Sequence, residues 1–198
     1  MSVEFWDHRY AEKEFVYGTE PNNFVRDQII KLKPGKILFP AEGEGRNAVF
    51  AAGLGFEVTA FDASAVGQQK ALDLAKSSNV EINYLLRTYE TIDFEKNSFD
   101  CIVLVFAHMP ASTRTIYHQK ILSFLKLGGT VLLQGFSKDQ IFKDTGGPKD
   151  IAMLFSEDDL KQDFSELKDL RIWQEETHLQ EGNYHNGLAS VINLIGRK

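Results

Sequence analysis

The sequence predicts an α/β protein built on a doubly wound, Rossmann-like sheet of seven strands, mostly parallel and closed by an antiparallel C-terminal hairpin. Three observations carry that expectation. Short apolar strands alternate with helical patterns from Lys36 to Gln134. Residues 99–106 form a continuous apolar run bounded by polar residues, as a strand buried on both faces requires. Finally, strand patterns at 170–177 and 188–195 have no helical stretch between them, so they pair as a hairpin.

The elements follow in order. Lys36-Ile37-Leu38-Phe39-Pro40 is the first strand, entered through the turn Pro34-Gly35. A short helix runs from Arg46 to about Leu54, ended by Gly55. Residues 56–61 alternate as a second strand, and Ser64 caps a helix reaching about Ser77. Residues 82–86 are a third strand and 99–106 a fourth. Pro110 suits the first turn of a helix to about Leu127, stopped by Gly128-Gly129, and residues 130–134 make the fifth strand. Residues 137–150 read as a long loop of the kind that serves as a lid. Ser156 starts a capped helix, and residues 181–187 connect the final two strands.

The 198 residues suit one domain, with a core over 35–198 and a helical lid segment over 1–30. Fifteen phenylalanines and 43% hydrophobic residues exclude a disordered chain. A net charge of −6, from 22 basic and 28 acidic side chains with no basic run, argues against nucleic acid and for a small-molecule substrate. The single cysteine, Cys101, lies in an apolar strand and reads as inert; no set of residues has metal-ligand spacing. The first residues lack a signal-peptide pattern and no stretch has membrane-spanning length, so the expected location is the cytoplasm, away from membranes.

Ligands of such sheets bind outside the carboxyl ends of the strands, beside the first one. There the chain turns through Ala41-Glu42-Gly43-Glu44-Gly45, whose glycines permit a sharp turn and close approach of a ligand. Asp62 ends the second strand, where a carboxylate can accept both hydroxyls of a ribose, with Ala63 next to it. The combination points to an adenosine-containing cofactor. Gly43-x-Gly45-x-x-Ala48 also fits the dinucleotide fingerprint of a nicotinamide or flavin oxidoreductase. Against that rival, Glu42 and Glu44 set negative charge where a pyrophosphate must sit. A phosphate-free cofactor bearing a sulfonium and an ammonium tolerates them.

The order Ile37 to Gly45, then Phe61-Asp62, Ser98-Phe99-Asp100 and Leu125-Lys126-Leu127-Gly128-Gly129 resembles the class I S-adenosylmethionine-dependent methyltransferases over about residues 35–135. Phe5-Trp6-Asp7-x-Arg9-Tyr10 and Tyr17-Gly18-x-x-Pro21-Asn22 are similar to the branch containing tellurite-resistance and thiopurine-type enzymes. The resemblance implies methyl transfer from S-adenosylmethionine to a small-molecule acceptor. It implies cofactor contact by residues 41–45, by Asp62 and Ala63, by Phe106 at the fourth strand end, and by Trp6, Tyr17 and Gly18 of the lid. The family's adenine-side acid falls at Thr88, with Tyr89 beside it to stack. Phe39, Ala41 and Leu127 depart from the family's usual acid, glycine and proline, and Glu42 is the substitute support for the methionine end. A non-catalytic S-adenosylmethionine-binding domain is the remaining alternative. His108, following the fourth strand, and His185, in the hairpin connection, are the candidate proton acceptors for an amine or hydroxyl acceptor.

Overall fold

The computed structural model describes residues 2–198. Two helices, α1 (Val3–Tyr10) and α2 (Asn23–Ile29), precede the sheet, capped by the side chains of Ser2 and Asn22. The sheet holds β1 (Lys36–Pro40), β2 (Glu57–Asp62), β3 (Asn83–Leu86), β4 (Phe99–Val105), β5 (Leu125–Phe136), β6 (Lys168–Glu181) and β7 (His185–Arg197). Between these strands run α3 (Arg46–Gly53), α4 (Ala65–Ser77), α5 (Ala111–Phe124) and α6 (Glu157–Asp163). The order across the sheet is β3-β2-β1-β4-β5-β7-β6, parallel from β3 to β5 and antiparallel across β7 and β6.

Strand periodicity explains the two-layered core. Successive side chains point to opposite faces. Leu38, Ile102 and Leu104 therefore pack with α5 and α6, while Ile37, Phe39, Cys101 and Val103 pack with α2, α3 and α4. Phe39, where the resemblance implied an acid, is fully buried in the second layer. Ser64 caps α4 by accepting from the Gly67 N–H, and Ser156 with Asp159 forms a capping box on α6.

Three expectations need correction. First, α5 ends at Phe124, so Gly128-Gly129 does not stop it; Leu125 returns to the sheet opposite Phe99, and a register shift before Cys101 pairs with Thr130 takes up the residues between. Second, the stretch after β5 is no open loop. It contains two 3-10 turns, Lys138–Phe142 and Ile151–Met153, and is tied down by Gln140 to Ser190 N (2.8 Å) and Thr145 to Leu188 O (2.9 Å). Third, the hairpin is longer and its turn tighter than the pattern at 181–187 implied. Glu181 and His185 are strand residues paired directly across the sheet, and only residues 182–184 turn.

Candidate active site

One cavity of about 930 Å³, including its solvent-open mouth, lies over the carboxyl ends of β1, β2 and β4. That size suits a small-molecule ligand. Its floor is the turn after β1, where Ala41 (φ 52°), Gly43 (φ 63°) and Gly45 (φ 87°) are all left-handed. The glycines serve packing here. A Cβ on Gly43 would lie 2.5 Å from the Tyr10 hydroxyl, and one on Gly45 would lie 2.5 Å from the Ala71 methyl. Gly43 and Gly45 therefore seat α1 and α4 on the turn, and the cavity is faced by Ala41 and Glu42 instead.

The Glu42 carboxylate accepts the first free N–H groups of α3, from Asn47 (2.9 Å) and Ala48 (2.8 Å). Burial nonetheless raises its pKa to about 7. The helix N-terminus, the usual seat of a phosphate, is thus filled by the chain's own carboxyl group. Glu44 turns the other way, accepting from Val16 N (2.9 Å) and Lys70 Nζ (2.9 Å), and does not line the cavity, contrary to the sequence expectation.

Asp62 lines the cavity from the end of β2. Its two oxygens accept from Gly43 N (3.1 Å) and Ser64 N (2.8 Å), and the Ala63 N–H adds to the field holding its charge against burial. Each oxygen keeps a lone pair for a ligand hydroxyl. The adenine-side candidates do not reach this wall. Thr88 and Thr91 close a turn through their own hydroxyls, and the Tyr89 ring is stacked on Tyr117 and edge-on to Phe61. The Tyr89 hydroxyl is buried with no partner among the described residues.

Phe5, Trp6, Arg9 and Tyr10 of α1 form the opposite wall, with Trp6 stacked on Tyr10. The Asp7 carboxylate between them accepts from the Ser64 hydroxyl, which fixes α1 over α4. Arg9 lies over the Tyr184 ring (3.9 Å to the centroid) and donates to the Tyr17 hydroxyl (3.2 Å). Gly18 (φ 73°) sits behind the cavity against Gly182.

At the β4 end, Phe106 holds a left-handed backbone (φ 49°) and puts its ring 4.5 Å from that of Phe136 and 4.6 Å from that of His185. His108 also lines the cavity, but both ring nitrogens are spent. Nδ1 donates to Met153 O (2.8 Å) and Nε2 accepts the Phe136 N–H (2.9 Å). Burial lowers its pKa to about 4. His108 therefore ties the ends of β4 and β5 to the second 3-10 turn and has no lone pair for a substrate proton, which corrects its candidacy as a base.

His185 differs. Its Nδ1 meets Glu181 Oε2 at 3.2 Å, and among the described residues nothing hydrogen-bonds Nε2, while the ring lines the cavity between Tyr17, Phe106 and Phe136. Glu181 is held by Arg46 (2.8 Å) and Asn22 (2.8 Å), and its pKa is drawn down to about 2 by its hydrogen bond with His185 and by Arg46, against burial. Asn22 also donates to Gln134, which donates to Asn193. Sequence reading missed this buried set. Glu181 lay in an assumed loop, and only Asn22, in the Tyr17 to Asn22 motif, carried a signal.

Residues 37–129 match the family model described as a methyltransferase domain. The matched segment runs from β1 into β5 and carries the turn that floors the cavity. No curated protein matches the chain significantly in sequence. Among solved structures, the domain is similar to one described as "Conversion of a Disulfide Bond into a Thioacetal Group during Echinomycin Biosynthesis", with TM-score 0.76, 18% identity, and coverage of 98% of this chain and 90% of that one. It is similar to TehB from Haemophilus influenzae, with TM-score 0.74, 20% identity, and coverage of 90% and 62%. It is also similar to phosphoethanolamine N-methyltransferase 2 of Haemonchus contortus in complex with phosphomonomethylethanolamine and S-adenosylhomocysteine, with TM-score 0.73, 16% identity, and coverage of 100% and 61%. At these identities the likeness is one of fold.

Proposed function

We propose that the chain is an enzyme transferring the methyl group of S-adenosylmethionine, in line, to a small-molecule acceptor. The observation that carries this reading is the Glu42 carboxylate seated on the α3 N-terminus. A dinucleotide needs those N–H groups for its pyrophosphate, and here they already donate to the Glu42 side chain. A cofactor with no phosphate and a positive sulfonium fits the same place. Asp62 supplies the acceptor for ribose hydroxyls, and the aromatic wall of α1 covers the cavity.

When bound, the cofactor supplies an electrophilic methyl group with a neutral thioether as leaving group. The chain's part is alignment and exclusion of water. Asp62 and Glu42 orient from the floor. Trp6 and Arg9 close from above, with residues 1–30 as the lid, and Gly147 and Pro148 wall the side. Among the described residues no helix is long and apolar enough to cross a membrane; we place the protein in the cytoplasm, acting on a diffusible metabolite.

Calorimetry with S-adenosylhomocysteine and with nicotinamide dinucleotides tests the assignment. S-adenosylhomocysteine should bind saturably, and Asp62→Asn should weaken it about 10- to 100-fold by removing a charged acceptor. Saturable binding of a dinucleotide alone would overturn the proposal.

A further inference from the structure

We propose that His185, oriented by Glu181, removes a proton from the acceptor, and that the acceptor is a small aromatic molecule whose nucleophilic atom carries a dissociable hydrogen. The inference rests on the methyl-transfer reading and names the substrate class of that site.

An ionised carboxylate only accepts, so the 3.2 Å contact with Glu181 puts the imidazole hydrogen on Nδ1 and leaves a lone pair on Nε2. Glu181 cannot swing away, because Arg46 and Asn22 hold both its oxygens. His185 is pinned as well. Gly146 packs so closely on the hairpin that a Cβ there would lie 2.8 Å from the His185 ring. The molecule's other carboxylate–histidine pair, His118 with Asp163, is walled in between α5 and α6 and lines no cavity. Among the described residues, only the Glu181–His185 pair has both a fixed tautomer and a face on the cavity.

The surroundings select the acceptor. Tyr17, Phe106 and Phe136 stand about the imidazole with ring centroids 4.5, 4.6 and 5.0 Å from it, a setting for a flat apolar molecule. The charged and titratable groups facing His185 are Glu181 from β6, Arg46 from α3, Arg9 from α1, Tyr17 from the loop after α1, and His108 after β4. The two arginines and burial disfavour the imidazolium and Glu181 favours it, so at neutral pH the ring is the neutral base. In the step, the acceptor's X–H proton passes to Nε2 while the lone pair on X forms the bond to the methyl carbon. The methyl–sulfur bond breaks with its electron pair going to sulfur, the sulfonium becomes a neutral thioether, and the imidazolium then releases its proton to water.

The test uses the full chain with S-adenosylmethionine and a panel of phenol, thiophenol and pyrazole, with product detected by mass. At least one probe should be methylated, with the rate rising as pH passes upward through the His185 titration. His185→Gln should lower that rate about 100-fold. Glu181→Gln should move the rising limb to lower pH, which a merely structural role would not do. Melting temperature and S-adenosylhomocysteine affinity report whether the variants fold. Independently of turnover, nitrogen NMR of the wild-type imidazoles loaded with S-adenosylhomocysteine should show His185 as the Nδ1–H tautomer, with Nε2 shifting when phenol is added. No methylation of any probe while S-adenosylhomocysteine binds, an undiminished rate in His185→Gln, or an Nε2–H tautomer would overturn the base. Failure of S-adenosylhomocysteine to bind would instead overturn the reading on which it rests.

Discussion

Glu42 sits where two demands oppose each other: the N–H groups of α3 favour its charge, and burial disfavours it, with the balance at about pH 7. A cation entering the cavity beside it tips that balance toward the carboxylate. S-adenosylmethionine carries a sulfonium that S-adenosylhomocysteine lacks, so the preference for the former should grow as pH rises through 7. Between pH 6 and 8 calorimetry should find the ratio of the two affinities rising by up to about 10-fold. Glu42→Gln keeps an acceptor for the helix but has no charge to gain, and its ratio should be flat. An unchanged slope in that variant would remove Glu42 from cofactor recognition. Glu44, one residue beyond the intervening glycine, has no such effect to offer because Lys70 already neutralises it.

At the level of elements, His108 acts as a rivet between β4, β5 and the second 3-10 turn. Its folded pKa of about 4 lies below the ordinary 6.5, so the unfolded chain binds the extra proton first. The stabilisation is fully present above about pH 6.5 and is lost as pH falls toward 4, by at most ~3 kcal/mol. His118 and His185, also held down by burial, push in the same direction. Urea denaturation at pH 8 and pH 5 should show about 2 kcal/mol of that loss. His108→Gln should lower stability by about 1–3 kcal/mol at pH 8, since the Phe136 N–H and Met153 carbonyl lose their fitted partner, and should show a smaller difference between the two pH values. Most elements were legible in the sequence because their signals are local: β1 in its apolar run after Pro34-Gly35, α4 in its Ser64 cap, the β6–β7 pairing in the missing crossover helix. The site was legible only in part. Asp62 and Glu42 sit at positions the topology defines, whereas Glu181, Arg46 and Asn22 meet through contacts 135 and 159 residues apart in sequence. Thr88 and Tyr89 misled for the converse reason: a position inferred from the family was filled by side chains that satisfy each other or the core.

For the molecule as a whole, Asn22 is the joint between the N-terminal segment, the sheet and the hairpin. Its backbone N–H meets Asn47, its amide meets Gln134 and Glu181, and its carbonyl oxygen caps α2, all with 1% exposure. Asn22→Ala should cost about 2–4 kcal/mol, because it strands buried acceptors on two elements at once. Unfolding should stay a single transition when followed by circular dichroism and by tryptophan fluorescence. The same geometry bears on the order of synthesis. The cavity is walled by side chains from residues 5–17 and by His185, which Glu181 holds from across the hairpin, with the Gly182 backbone pressed on Val16 and Gly18. A growing chain can fold its central strands as they emerge, yet no ribosome-bound fragment short of the hairpin can hold a complete pocket. The pocket is complete only once β6 and β7 have closed against α1.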